Sequence, residues 1–195
     1  MNETPFPAAG SAVAGHALVA GGGIAGLLAA RVLADHFDRV TVVERDPLPD
    51  HPVERRGTPQ ARHQHVMMQR GRLVLETLFP GLGAELRAAG APEIDPAEEV
   101  AWLTPAGWGV RFPSRLRMLS SSRDLLEWAV RRRLGGDKRI RFLAPYDVTG
   151  LVAGQRSGAI RGVRLRAGDG GGSTCSAALV VDASGRGSHA PRWLE

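Results

Sequence analysis

Six consecutive residues, Gly21-Gly22-Gly23-Ile24-Ala25-Gly26, carry the clearest chemistry in the sequence. Gly21, Gly23 and Gly26 fit the spacing GxGxxG, in which the first glycine permits a tight turn, the second leaves room for a diphosphate and the third lets a helix approach a strand. A helix opening at Ile24 and Ala25 offers free N–H groups and the positive end of its dipole to an anion. Glu44 follows 18 residues after Gly26 and closes the apolar run RVTVVE. A carboxylate at that point accepts hydrogen bonds from both hydroxyls of an adenosine ribose and repels a 2′-phosphate. A second segment, Asp182 to Ser188, begins where the apolar run AALVVD ends in Gly and Ser residues. Its backbone N–H groups collect at the carboxyl edge of a sheet, where doubly wound folds bind ligands. A third concentration of polar groups places Arg55, Arg56, Arg62, His63 and His65 within 11 residues. Histidines at i and i+2 do not share a helix face, which disfavours a metal pair. Two readings stay open there: a solvated basic loop, or a loop in which Arg62 or a histidine touches the ligand.

Positioning these groups requires strands that end near Ala20, Glu44 and Asp182. His16–Ala20 reads as a short buried strand after a loose tail over 1–15, and Ile24–His36 as a helix with Ile24, Leu27, Leu28 and Val32 on one face. Arg39–Glu44 is a second strand, followed by a loop over Asp46–Arg62 with four prolines. His63–Phe79 is expected to be a helix stopped by Pro80, and Leu82–Ala89 a shorter one. Short strands follow at Glu99–Leu103, Gly107–Phe112 and Arg117–Ser120. Ser121 or Ser122 caps a helix over Arg123–Leu134. Ile140–Ala144, Tyr146–Val152, Ile160–Ala167 and Ala177–Asp182 complete the strands, with a hairpin turn over Gly168–Gly172. The pattern is an α/β fold with an inserted antiparallel layer. In an NAD-binding unit a second crossover helix and a third parallel strand follow promptly. Here the third strand, Ile140–Ala144, waits behind a long detour, which suits FAD, whose flavin needs room beyond the pyrophosphate.

Composition narrows the classes. The chain has 195 residues, one domain's worth, and 43% hydrophobic with 23% charged residues excludes wholesale disorder. The net charge of +5 comes from 24 arginines and the single Lys138, spread along the chain without the interleaved aromatics of a nucleic-acid surface. The most apolar stretch, Ala17–Ala30, is too short to span a bilayer and holds four glycines. No Lys or Arg precedes Arg31, so the positive start of a signal peptide is absent and a cytoplasmic location is expected. Cys175 is the single cysteine and reads as a buried, inert thiol. Arg131-Arg132-Arg133 reads as a solvated helix end, and Trp102, Trp108, Met67 and Met68 as packing residues.

Four blocks together resemble the FAD-dependent monooxygenases of the aromatic-hydroxylase fold, and within them the actinobacterial branch that includes epoxidases of polyether biosynthesis. They are VAGGGIAGLLAARVL with VTVVERD, RRGTPQARHQH with GRLVLETLFPGL, SSRDLLEWAVRRRL, and LVVDASGRGS with PRWLE. The resemblance implies a Rossmann-like, GR2-type FAD-binding domain over 16–195, with 91–121 supplying part of an incomplete antiparallel substrate layer. It implies FAD as cofactor, NADPH or NADH as electron donor, and transfer of one oxygen atom to a small organic substrate by epoxidation or hydroxylation. The glycine loop and Glu44 would then hold the ADP half of FAD, with Arg45 beside the adenine and ribose. Arg123 would reach FAD from the substrate side. Asp182 and Gly185 belong to a loop that touches both flavin and nicotinamide, and the block with Arg62 and His63 lies near the flavin ring. Ser184 stands where many hydroxylases carry aspartate, a departure that the epoxidase-like branch tolerates. The chemistry needs no side-chain nucleophile or acid–base pair, so no catalytic residue is named. The resemblance also implies a second FAD motif, Gly-Asp before a helix, which does not occur before Glu195, so the domain is expected to be incomplete. Three alternatives remain: a non-catalytic FAD- or ADP-binding remnant, a reductase on the same fold, and a flavin halogenase, which would need a lysine near the flavin although Lys138 sits in a Gly-Gly-Asp turn.

Overall fold

Alternating burial along the strands decides the layering. Ala17 and Val19 are buried on one side of the first strand and Leu18 on the other; Val40 and Val42 side with the former, Val43 with the latter. A strand apolar on both faces belongs in the middle of a stack. The structure is a computed structural model that describes residues 13–63, 65–154, 159–168 and 170–195; most of the expected tail therefore lies outside the described residues.

In chain order the elements are β1 (Val13–Ala20), α1 (Ile24–Leu33), β2 (Phe37–Val43), a 3-10 turn (Pro59–Arg62), β3 (His65–Met67), α2 (Gln69–Leu78) and α3 (Leu82–Ala88). Then come β4 (Glu93–Ile94), β5 (Leu103–Thr104), β6 (Gly107–Trp108), β7 (Met118–Ser121), α4 (Arg123–Gly135) and β8 (Ile140–Leu143). The chain continues through β9 (Tyr146–Ala153), β10 (Ile160–Ala167), β11 (Gly172–Ser176) and β12 (Leu179–Asp182), a 3-10 turn at Gly185–Gly187, and α5 (Ala190–Leu194). The central sheet is parallel in the order β12-β1-β2-β8. On one face α1 and α4 pack through Leu27, Ala30, Leu126, Ala129, Val130 and Leu134, with α2 and α3 behind them. On the other face lies the antiparallel sheet β11-β10-β9, joined through Leu18, Val43, Val163, Leu165 and Ala177. A small antiparallel sheet, β3-β7-β4, forms the inserted layer, with β5 and β6 as a separate hairpin. This is the α/β, Rossmann-like architecture with an antiparallel insertion that the sequence implies. Among the described residues no helix is long and apolar enough to cross a membrane.

Local departures from the sequence reading have tertiary causes. The helix expected from His63 begins only at Gln69, because His65–Met67 pairs with Met118–Ser121 in the register His65↔Ser121, Val66↔Ser120 and Met67↔Leu119. A ladder to a distant strand overrides the local helical period. Of the strand expected at Glu99–Leu103 only Leu103 is in a strand, β5; Glu99 belongs instead to a turn, since the N–H groups of Glu98 and Glu99 bond to the Asp95 carbonyl. Asp95 then organises the insertion: its carboxylate accepts from the Ser114 hydroxyl and N–H, both at 2.6 Å, and from the Ala97 N–H at 3.0 Å. The Ser114 hydroxyl above all, with these N–H groups, outweighs burial and holds the Asp95 pKa at about 2. Trp102 and Trp108, expected to pack, are exposed at 60% and 69%, and Met68 is exposed while Met67 packs on the core. Arg131 is buried rather than solvated, with Nη2 donating to the Pro49 carbonyl at 2.6 Å. Ser122 is the helix cap, its Oγ accepting from the Leu125 N–H.

His16 ties β1 to its neighbours. Its Nδ1 donates to the Ser176 carbonyl at 2.7 Å and its Nε2 accepts from the Thr41 hydroxyl at 2.8 Å. Burial, helped by the Arg39 charge and only partly opposed by the Ser176 bond, lowers the His16 pKa below its usual value. The unfolded chain therefore takes up the proton first, so this contribution to stability is present above the unfolded pKa of about 6.5 and is lost as pH falls toward the folded value. Urea unfolding at a series of pH values should show a decline beginning below about pH 6.5 that His16→Gln flattens; an identical slope in the variant would remove His16 from the effect.

Candidate functional site

The parallel register brings three chain segments to one edge. Ala20 lies opposite both Val43 and Asp182, so Gly21–Ala25, Glu44–Arg45 and Ala183–Gly185 leave the sheet at the same level. Between them opens a cleft of about 260 Å³. Gly21, Gly23, Ile24, Ala25, Glu44, Arg45, Arg123 and Gly185 line it, together with Arg55, Thr58 and Tyr146.

The three motif glycines have different reasons to be glycine. Gly21 has φ +105, and a Cβ there would overlap the Ala183 carbonyl. A Cβ on Gly26 would overlap the Gly21 carbonyl oxygen and press on Val19. Both positions are dictated by the protein's own packing. Gly23 is not: its φ is −76, and a Cβ would have only Arg123 Nη2 at 3.8 Å and Glu127 Oε2 at 4.0 Å near it. It caps α1 with no side-chain bond, so the first N–H groups of the helix, on Ile24 and Ala25, are left facing the cleft.

Glu44 is buried and shapes the loop as well as the lining. Its Oε2 accepts from the Gly22 N–H at 2.7 Å and its Oε1 from the Asp46 N–H at 2.9 Å. Each oxygen keeps a second lone pair for a further donor. Arg45 is exposed at the rim. Asp182 does not line the cleft. Its carboxylate accepts from the Ser184 N–H at 3.0 Å, the Ser184 hydroxyl at 2.5 Å and the Ser188 hydroxyl, and so curls the loop that places Ser184 and Gly185 on the lining. Burial would raise the Asp182 pKa, but the two hydroxyls and the Ser184 N–H prevail and lower it. Gly26 lies beneath the loop. Arg62 and His63 are exposed in a separate, shallow depression with His65 and Ser122; Arg62 pairs with Glu54 at 2.8 Å.

The residue of that basic block which reaches the cleft is Arg55, which sequence reasoning passed over in favour of Arg62 and His63. Its side chain is 95% buried, by the 5% exposure that remains. Nε donates to Glu127 Oε1 at 3.0 Å, and Nη2 donates to the same oxygen. Nη1 lies 3.4 Å from Glu44 Oε1 and 3.5 Å from Asp46 Oδ2, yet makes no hydrogen bond. Burial would lower the Arg55 pKa, but the Glu127 bond and charge, with Glu44 and Asp46, raise it and keep the guanidinium charged. Glu127 was also missed, although Arg123 and Glu127 stand at i and i+4 on one helix face, a legible pairing signal; Arg123 Nε lies 3.3 Å from Glu127 Oε2. The cleft thus combines a helix N-terminus, open space over Gly23, the guanidiniums of Arg55 and Arg123 with Arg45 at the rim, and a buried acid at the end of β2. Such a set suits a dinucleotide, with the diphosphate at the helix and an adenosine ribose at Glu44.

No protein-family model matches the chain. A curated relative, Protein Rv3254 of Mycobacterium tuberculosis, is 39% identical over 188 residues, covering 92% of this chain and 40% of that protein. The crystal structure of PqsL, a probable FAD-dependent monooxygenase from Pseudomonas aeruginosa, superposes with a TM-score of 0.62 at 23% identity, over 93% of this chain and 45% of that one. The p-nitrophenol 4-monooxygenase PnpA from Pseudomonas putida gives a TM-score of 0.66 at 18% identity, over 94% and 44%. The chain therefore shares the fold of these two monooxygenase structures over somewhat less than half of their length, and it spans about two fifths of the curated relative's length.

The glycine geometry separates folding from binding. Gly26→Ala should destabilise the chain by at least about 2 kcal/mol through backbone overlap, whereas Gly23→Ala should cost less than about 1 kcal/mol, as a change of cap. Gly23→Val should nonetheless abolish nucleotide binding. Thermal melts beside ADP titrations check both; wild-type affinity in Gly23→Val would place the ligand elsewhere.

Proposed function

We infer that this chain forms the ADP-binding side of an FAD site in a flavin-dependent monooxygenase acting on a small organic substrate. The observation that carries this reading is Gly23, whose lack of a side chain the fold itself does not require and which opens onto the helix N-terminus. The buried Nη1 of Arg55, ion-paired with Glu44 and Asp46 but making no hydrogen bond, fits the same group, since a bound oxygen acceptor would satisfy it. When bound, FAD would supply the redox chemistry that takes electrons from NADPH or NADH and activates oxygen. The chain's own residues bind and orient. The N–H groups of Ile24 and Ala25 receive the diphosphate, Glu44 the ribose hydroxyls, and Arg45 flanks the adenosine end. Arg123 and the Ser184–Gly185 turn complete the lining.

Support for oxygen transfer comes from the sequence blocks and from the two monooxygenase structures that share the fold. The resemblance to polyether epoxidases favours an alkene over an aromatic ring as acceptor, consistent with Ser184 in place of aspartate. Because the matched relatives are more than twice as long, the oxygenation step belongs to the proposal for the whole enzyme.

Calorimetric titration of the purified chain should show FAD and ADP binding more tightly than NAD. Tighter binding of NAD would overturn the flavin assignment.

A further inference from the structure

Among the described residues, Glu127 is the carboxylate that bonds to both Arg55 and Arg123 of the cleft lining. It is 3% exposed and sits on α4, one turn after Arg123. Its Oε1 takes both the Nε and the Nη2 of Arg55, which arrives from the long loop after β2. Its Oε2 takes the Nε of Arg123. These bonds fix the plane of each guanidinium. For Arg55, a residue of the cleft lining, they leave Nη1 without a hydrogen bond, beside Glu44 Oε1 and Asp46 Oδ2. For Arg123 they leave Nη2 at 3.8 Å from the Cβ position of Gly23, over the start of α1.

We propose that Glu127 is a positioning residue that holds Arg55 and Arg123 as a two-armed clamp on the diphosphate of the bound dinucleotide, without touching the ligand itself. This rests on the nucleotide-binding reading above. The geometry separates positioning from simple charge. Glu127 carries a negative charge close to the site of an anion, so by Coulomb's law alone its removal would tighten diphosphate binding. A positioning role demands the opposite. Guanidiniums released from a buried acceptor rotate among rotamers, and the ordering cost then falls on ligand binding. Glu44 and Asp46 still flank Arg55 in the absence of Glu127 charge, so that guanidinium keeps counter-charges when the acid is neutralised.

Glu127→Gln is the direct test, read by calorimetry on the full chain with ADP and adenosine as probes. Glutamine keeps one oxygen for Arg55 and turns an amide N–H toward Arg123, freeing it. The Kd for ADP should rise about tenfold, the loss of one charge-assisted hydrogen bond, while adenosine binding changes by less than about twofold. In an Arg123→Gln background the same substitution should have a smaller effect on ADP, because the two side chains act as one unit. Equal or tighter ADP binding in Glu127→Gln would overturn the proposal, and so would strict additivity with Arg123→Gln. A lowered melting temperature with adenosine and ADP lost alike would assign Glu127 to the fold and overturn it too. Failure of the wild-type chain to bind ADP would instead bring down the nucleotide-binding reading on which the clamp depends.

Discussion

Everything at the candidate site depends on how closely the start of α1 can approach the end of β1. Gly26 rests against the carbonyl of Gly21, at a separation that excludes any Cβ. That contact aims the first N–H groups of the helix along the carboxyl edge of the sheet. It also fixes Gly21 against Ala183, so the loop after β12 is drawn to the same point. The parallel register of Ala20 with Val43 and Asp182 follows from packing the three strands between an α layer and an antiparallel sheet. A cleft at that edge is a geometric consequence of three strands ending together.

Charge is the second organising element, and it works against burial. Arg55, Glu44 and Glu127 are all nearly excluded from solvent. An isolated charge at that depth would be too costly to keep; removing one partner of such a pair typically costs about 3–5 kcal/mol. The cluster survives because each group has several partners: Glu44 takes two backbone N–H groups, and Glu127 takes two arginines. The same network joins α4 to the proline-containing loop after β2, with Arg131 adding a bond to the Pro49 carbonyl. The loop is thus tied down by charge where it lacks regular secondary structure.

The insertion is built differently. Asp95 organises its turns, gathering Ser114, Ala97 and Arg117 around one carboxylate. The apolar side chains nearby, Trp102, Leu103, Trp108, Val110 and Phe112, remain exposed. The connecting turns of the layer are therefore held by hydrogen bonds to a single acid and leave these large apolar side chains in solvent, while Met118 and Leu119 of β7 are buried.

Much of this was legible in the order of residues. The glycine loop, the acid ending β2, the third parallel strand at Ile140 and the turn after Asp182 are local signals, since each depends on backbone conformations and periods set within a few residues. What the sequence could not reveal depends on partners far along the chain. His65–Met67 is a strand because Met118–Ser121 lies beside it. Asp182 looks like a ligand-binding acid in the sequence, yet its oxygens are taken by Ser184 and Ser188. In the arginine-rich block, Arg62 and His63 are turned to solvent and Arg55 inward, because only Arg55 meets a buried carboxylate, 72 residues away on α4. Sequence alone determined where backbone could cradle an anion; tertiary structure decided which charges face it, because a buried ion is stable only where distant parts of the chain bring its counter-charge.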